Sequence, residues 1–501
     1  VRRFLAAGRG IASAKGGPYG WDALTHLCFS KYLRLEPERS DGFVRAAQAL
    51  LDAGASANTG FFDNTHQPEP AFESALYGAA GVAHHAEVTR LLMKPTLVRA
   101  VGLFGLTAIA INGVIGAGIF VMPAYVAALL GPASPLAYVL AGLAAVLIAL
   151  SFAEAGSMYD RAGGPYLYAR EAFGRFVGFQ AGWLFLLGRV TGAAAIANAF
   201  AAYVGFERTA CIAGSIAAIA ALNYAGVKYG SWIVNLLTIG KLLPLAVFIA
   251  AGMAAADADA WRFAAIPEMA PLRQASLLLL FALGGFEFAS VPSEEVIDPR
   301  RNLPAALIAG IASSVVIYIF IQMVCLGTLP GLAVSRRPLA DAAQTFLGAG
   351  GALLMTVGAI LSTTGTNSTI LLIGPRMLYA LAEGGQLPGF FGRVHPRFRT
   401  PHVAVVVFAG VTLAVALSGT FVQLAALNAI ARLVYSITTC AAVPVLRRRV
   451  TGGFQLPGGW LLPGLGIAAC LFLLTGVTRW QLLVGGVAMA IGTLVYRLRP
   501  A

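Results

Sequence analysis

The chain has 501 residues, of which 58% are hydrophobic and only 11% charged, and its mean hydropathy is +0.77. That composition excludes a soluble globular protein and fits a polytopic membrane protein. A formal charge of +13 and a pI near 9.8 would point to nucleic acid in a soluble chain, but here the basic residues sit in short loops between apolar runs, as the positive-inside rule requires. The five cysteines show no C-x-x-C spacing, so neither a metal site nor a disulfide frame is expected. No Walker loop and no nucleophile and base pair appear, which argues against an ATP-driven pump and against an enzyme.

Residues 1–92 differ from the rest of the chain. They carry His26, His66, His84 and His85 and no apolar run long enough to span a bilayer. Two stretches share a pattern, Phe43 to Ala55 and His84 to Leu92. Each follows a smaller amphipathic element, Ala23 to Cys28 and Ala75 to Ala80. This segment is similar to ankyrin repeats, whose T-P-L-H-x-A signature it matches in part. Such an array needs about three units to be stable, and the second unit here stops at Leu92. Because the chain starts at Val1 and Met93-Lys94-Pro95 opens a basic leader, a fused or wrongly joined reading frame with Met93 as the natural start is expected. The alternative is a genuine fusion whose ankyrin-like part recruits a cytosolic protein.

From Leu97 to about Val495 the apolar runs make about 12 expected spans of roughly 20 residues each. Span 1 runs from Val101 to Leu130 and contains Gly113, Gly116 and Gly118. Each glycine weakens a helix by about 1 kcal/mol relative to alanine. This is where a membrane helix would unwind, and unwound backbone in a bilayer survives only where it lines a cavity. Span 2 ends near Tyr159, followed by an inside turn, Asp160 to Tyr166. Spans 3, 4 and 5 are Phe176–Phe206, Cys211–Tyr224 and Ile233–Met253. Span 6, Leu277 to Val291, is interrupted at Leu283-Gly284-Gly285-Phe286-Glu287. Paired interruptions in two halves of a chain point to the binding site of a secondary transporter. A charged inside loop, Pro292 to Pro304, leads to span 7, Ala305–Leu329, and span 8, Leu347–Leu381. Spans 9 and 10 form a hairpin around Gly419, and two more spans close the chain. Basic clusters at Arg161, Arg170 and Arg175, at Arg300 and Arg301, at Arg393 to Arg399 and at Arg447 to Arg449 place both termini in the cytoplasm. The Ala- and Arg-rich composition suits a bacterial inner membrane.

Four motifs, in order, carry a resemblance that covers nearly everything from Met93 onward. Gly113 to Phe120 is similar to the first-helix motif G-x-I-G-[SAT]-G-I-F of the amino acid-polyamine-organocation (APC) transporters. Phe152 to Tyr159 with Ala162 to Tyr166 resembles that family's segment after helix 2. Phe281 to Glu287, with Glu294, Glu295, Asp298-Pro299 and Asn302-Leu303-Pro304, resembles its helix-6 block. Arg376 to Ala382 with Gly385 and Pro388 resembles the end of its helix 8. The resemblance implies an all-α, LeuT-like fold of two inverted five-helix repeats plus two helices, moving amino acids or amines without a cofactor.

It also implies site residues. Free N–H groups at Ile115, Gly116, Ala117 and Gly118 would take the substrate carboxylate. Carbonyls around Phe281, Ala282, Gly284 and Gly285 would accept from its ammonium, with Phe281 as an aromatic lid. Family members often carry serine where Ala117 stands. Lys241 is a charge inside an apolar span, which marks it as functional by default unless it snorkels. By resemblance it would replace a coupling sodium ion and couple transport to protons. Glu287 would hydrogen-bond the unwound backbone or carry a proton. Glu154 and Arg161 would form an ion-pair gate. Arg189 and Asn198 are polar at depth and receive no role. Proton-coupled symport is thus the expected function, with an amino acid exchanger, or a membrane sensor or scaffold, as the alternatives.

Overall fold

The computed structural model describes the chain except for residues 2–4, 6–11, 17–18, 54, 56–58, 64–70, 94–101, 160–163, 227–230, 263–265, 287–298, 384, 451–453, 457 and 498–501. It divides into two compact units, Val1–Val101 and Gly102–Ala501.

In the first unit, helices Ala23–Cys28 and Ser40–Asp52 precede a hairpin of Gly60–Asp63 with Ala71–Ser74. Ala75–Tyr77, Gly78–Val82 and Ala86–Met93 follow. Asp22 caps the first helix, its Oδ1 accepting from Thr25 N at 2.8 Å, and Thr59 Oγ1 donates to the same carboxylate. Leu24, Cys28, Ala47, Leu50, Ala75, Ala79 and Val88 form its apolar core. Burial, with the Asp22 carboxylate nearby, pushes the Cys28 thiol up to about 12, so this cysteine is an uncharged core residue.

The second unit is helical, and its helices are labelled in chain order: α1 Leu103–Val114, α2 Gly118–Leu130, α3 Ser134–Ser157, α4 Gly164–Phe173, α5 Arg175–Val204, α6 Arg208–Tyr224, α7 Ser231–Ala255, α8 Met269–Ala282, α9 Pro299–Thr328, α10 Pro338–Glu383, α11 His402–Ser418, α12 Phe421–Arg449, α13 Leu461–Leu474 and α14 Arg479–Arg497. Among the described residues six helical segments are long and apolar enough to cross a membrane, and five shorter apolar helices accompany them. This is an all-α polytopic membrane architecture. The short helix α1 and α2, which opens the long segment Gly118–Ser157, are the halves of the interrupted first span. α10 bends at Gly348, whose φ of 64° lies in the left-handed region open mainly to glycine. The bend sets Pro338–Leu347 apart from the long arm that follows.

Small residues let the helices approach closely, as is usual in a bilayer. A Cβ on Gly118 would lie 2.6 Å from Ala282 Cα, and one on Gly310 would lie 2.6 Å from Ala110 Cβ. The start of α2 therefore touches the end of α8, and α9 lies directly on α1.

Candidate functional site

The first span breaks as its glycines predict. α1 ends at Ile115, whose φ of −74° and ψ of 85° form an inverse γ-turn closed by Gly116 N donating to Val114 O at 2.8 Å. α2 restarts at Gly118 with no side chain capping its N-terminus. Phe120 N turns back onto Ala117 O at 3.2 Å, while the amides before it in the first turn have no i−4 acceptor within α2, so this end presents a partial positive charge. The second break begins where α8 stops at Ala282. Gly285 has a φ of 108°, and a Cβ on it would overlap the Gly113 carbonyl. The two breaks thus meet backbone to backbone.

Buried side chains hold the freed carbonyls. The Tyr318 hydroxyl, with one proton to give, lies 2.9 Å from Val114 O and 3.1 Å from Ala282 O and bridges the two broken helices. Ser362 Oγ donates to Gly116 O at 3.3 Å, and Tyr203 donates to Phe120 O at 2.6 Å. Lys241, 4% exposed, reaches from α7 and donates to Asn112 O and to Ile115 O, both at 2.7 Å. Its ammonium sits under the break, not at a helix end, so it does not snorkel.

A small cavity of about 40 Å³ opens at the junction. It brings together Gly116, Ala117, Gly118, Phe281, Ala282, Gly284 and Gly285 of the expected site, and adds Thr366, Arg189, Asn428 and Arg432. Ile115 is buried behind it and contributes its carbonyl to Lys241; its N–H donates to Ile111 O at 2.8 Å and that of Gly116 to Val114 O, so neither of these two expected amides is free for a carboxylate, because the γ-turn that ends α1 consumes them. Two expected ammonium acceptors are already engaged, Phe281 O by Gly284 N at 3.3 Å and Ala282 O by Tyr318. Each keeps only its second lone pair for a ligand.

Aromatic rings lie on both sides. Phe281 packs edge-on against Phe421 with ring centroids 5.6 Å apart, and Phe421 stacks on Tyr125 at 6.1 Å. Phe421 begins α12, Arg432 lies in its middle and Arg447 is near its end, so this trio lies toward one mouth. Toward the other, Phe286, Phe152 and Tyr435 form an edge-to-face series, with spacings of 5.9 and 6.4 Å.

Beyond that series lies a buried ion pair. Glu154, fully buried, is gripped by Arg447 through Nε and Nη2, and its Oε2 also accepts from Leu456 N at 3.1 Å. Arg447 in turn donates to Gly459 O, while Phe454 N donates to Ser157 Oγ at 2.9 Å. Among the described residues the partners of Glu154 are therefore Arg447 of α12 and the backbone of Leu456, because α3 packs against α12 and the segment after it. Arg161 and Glu287 lie outside the described residues. Removing one member of a buried pair leaves the other desolvated and unmatched, at about 3–5 kcal/mol. Glu154→Gln is expected to lower the thermal midpoint by several degrees and to make Cys440, buried beside this region, alkylate faster; wild-type values for both would remove the pair from the structural core.

The sequence pattern did not single out Arg432 or Asn428, although an arginine inside the apolar run Phe421–Arg447 was a visible signal. Tyr318 and Thr366 gave none, since each looks like any other residue of its span.

The model of the amino acid permease family matches residues 101–489. The chain is 30% identical over 438 residues to a methylthioribose transporter of Bacillus subtilis (strain 168), covering 80% of this chain and 94% of that one. It is 27% identical over 442 residues to the branched-chain amino acid permease BcaP of the same organism, covering 81% and 94%. A serine/threonine exchanger, SteT, also of that organism, is 29% identical over 420 residues, covering 79% and 95%.

Proposed function

The chain belongs to the amino acid permease family, and on that premise we propose that it carries amino acids by alternating access, coupled to protons through Lys241. As a family member it is an integral membrane transporter and not an enzyme. Two of the three relatives above are named for amino acids, which supports that substrate class here. In this reading the amides opening α2 hold the substrate carboxylate, and the carbonyls ending α8 share its ammonium with polar side chains of the cavity. Phe281 with Phe421 and Tyr125 closes the outer mouth, and Glu154 with Arg447 the cytoplasmic one, both termini being cytoplasmic.

The observation that carries the coupling is the Lys241 ammonium on Asn112 O and Ile115 O at 2.7 Å each. A cation there ties the carbonyl end of α1 in place. Loss of its proton would remove the tie and free the break to rearrange, so that the proton and the conformation move together. Exchange is the second reading, favoured by the name of one relative. The test is uptake of a radiolabelled amino acid panel into proteoliposomes, with and without an inward proton gradient. Gradient-driven accumulation in empty vesicles is expected. Uptake that needs preloaded substrate and ignores the gradient would replace symport by exchange, and no uptake of any amino acid would overturn the reading.

Residues 1–92 form, in the same proposal, an ankyrin-like unit for a cytosolic partner, separate from the transporter of residues 93–501. Its removal should then leave uptake intact.

A further inference from the structure

The two carbonyls within reach of Tyr318 belong to different broken helices and differ in what else they hold. Val114 O, at the end of α1, already accepts Gly116 N at 2.8 Å. Ala282 O, at the end of α8, has the Tyr318 hydroxyl as its donor and no other among the described residues. The hydroxyl lies 2.9 Å from the first oxygen and 3.1 Å from the second, and its single proton serves one of them at a time. Turning the O–H about its C–O bond redirects that proton, while the ring stays where its neighbours hold it. Tyr318 is fully buried, and Tyr138 of α3 packs on it edge to face with ring centroids 6.4 Å apart. Tyr138 is itself fixed, since it donates to Gln322 Oε1 at 3.0 Å, one turn further along α9.

Val114 and Ala282 both line the cavity. Gly118, the first residue of α2, lies so close to Ala282 that a Cβ on it would meet the Ala282 backbone. An amino acid carries its carboxylate and its ammonium on one carbon, so a carboxylate on the amides opening α2 sets the ammonium beside Ala282 O.

We infer that Tyr318 is a positioning residue that reports substrate occupancy from the second break to the first; this rests on the amino acid reading proposed above. In the empty site the proton goes to Ala282 O, because a buried carbonyl left unmatched is costly and Val114 O already has Gly116 N. An ammonium arriving at Ala282 O satisfies that carbonyl, and the hydroxyl turns to Val114 O. There it adds a donor to the carbonyl next to Ile115, whose own oxygen holds Lys241. Binding at the end of α8 is thereby felt at the end of α1 through one hydrogen bond, with no movement of the ring and no covalent change.

The test is Tyr318→Phe in the purified full chain, which keeps the ring and removes the hydroxyl. Its Ala282 carbonyl then waits unmatched for the ammonium, so the variant should bind amino acid about tenfold tighter than the native protein, while its maximal transport rate falls because binding no longer reaches α1. The probes are the strongest competitor of the uptake panel and the same acid without its amino group, for alanine propionate and for valine isovalerate. The preference for the amino acid over its desamino partner should widen by about tenfold in the variant. A hydroxyl that only supports the fold would lower the melting temperature and the maximal rate and leave that preference as in the native protein; an unchanged or narrowed preference would overturn the inference while amino acid transport stands. Should the variant fail to fold, hydrogen exchange at residues 112–116 of the native protein decides. The amino acid is expected to slow it and the desamino partner, which brings the same carboxylate, is not; equal protection by the two, or none by either, would overturn the inference. If no amino acid is carried at all, the amino acid reading fails and this inference fails with it.

Discussion

Lys241→Met is expected to abolish proton-driven accumulation while the protein remains folded and inserted. The substitution keeps the length and the apolar stem of the side chain, and α7 packs through that stem. What it removes is the ammonium on Asn112 O and Ile115 O. Charge-assisted hydrogen bonds contribute about 1.5–3 kcal/mol each, so the break in the first span loses a tie comparable in strength to a conformational preference of the whole transporter. Accumulation against a gradient should fall to the level of empty liposomes, and any residual exchange of preloaded substrate should become indifferent to external pH. Uptake of labelled substrate at stepped external pH, with matched protein per vesicle, is the measurement. A Lys241→Met protein that still accumulates substrate with the native pH dependence would remove this residue from coupling and leave it a structural tie.

Gly285→Ala should be nearly as severe, for a steric reason. The residue holds a φ of 108°, and its missing Cβ is the space occupied by the Gly113 carbonyl. An L side chain is strained in that conformation by about 1–3 kcal/mol, and the overlap adds to it. Neither strain can relax independently, because Gly113 belongs to the other broken span. Uptake is therefore expected to drop more than about tenfold, since a 1.4 kcal/mol change is already a factor of ten, with a lowered melting temperature in detergent. Gly214→Ala is the control: it lies on α6 with nothing within 4 Å of its added Cβ and should behave as wild type. An active, stable Gly285→Ala protein would mean that the two breaks do not meet there.

Part of the site is legible in the amino-acid sequence. Gly116 and Gly118 inside an apolar run announce an unwound helix, because the cost of glycine in a helix and the rule against unpaired backbone in lipid are both local. Lys241 is conspicuous for a similar reason: an ionisable group in an apolar span needs a use whatever surrounds it. The same argument applies to Arg432, inside the apolar run from Phe421 to Arg447, although no break in that run drew attention to it.

Span positions and their order follow from the sequence alone, since burial in a bilayer acts on each run of residues separately and depends only on length and composition. Partners do not. Glu154 is held by Arg447, Leu456 N and the segment around them, residues far along the chain that only the packing of α3 on α12 brings to it. Tyr318 bridges Val114 and Ala282 for the same reason: its hydroxyl is supplied by a helix whose apolar pattern says nothing about which neighbour it faces. The sequence by itself determined that two helices break and that a lysine is buried. Only the tertiary structure decided that the breaks meet, which carbonyls remain open at them, and that two arginines line the space between, since those depend on the packing of helices far apart in the chain.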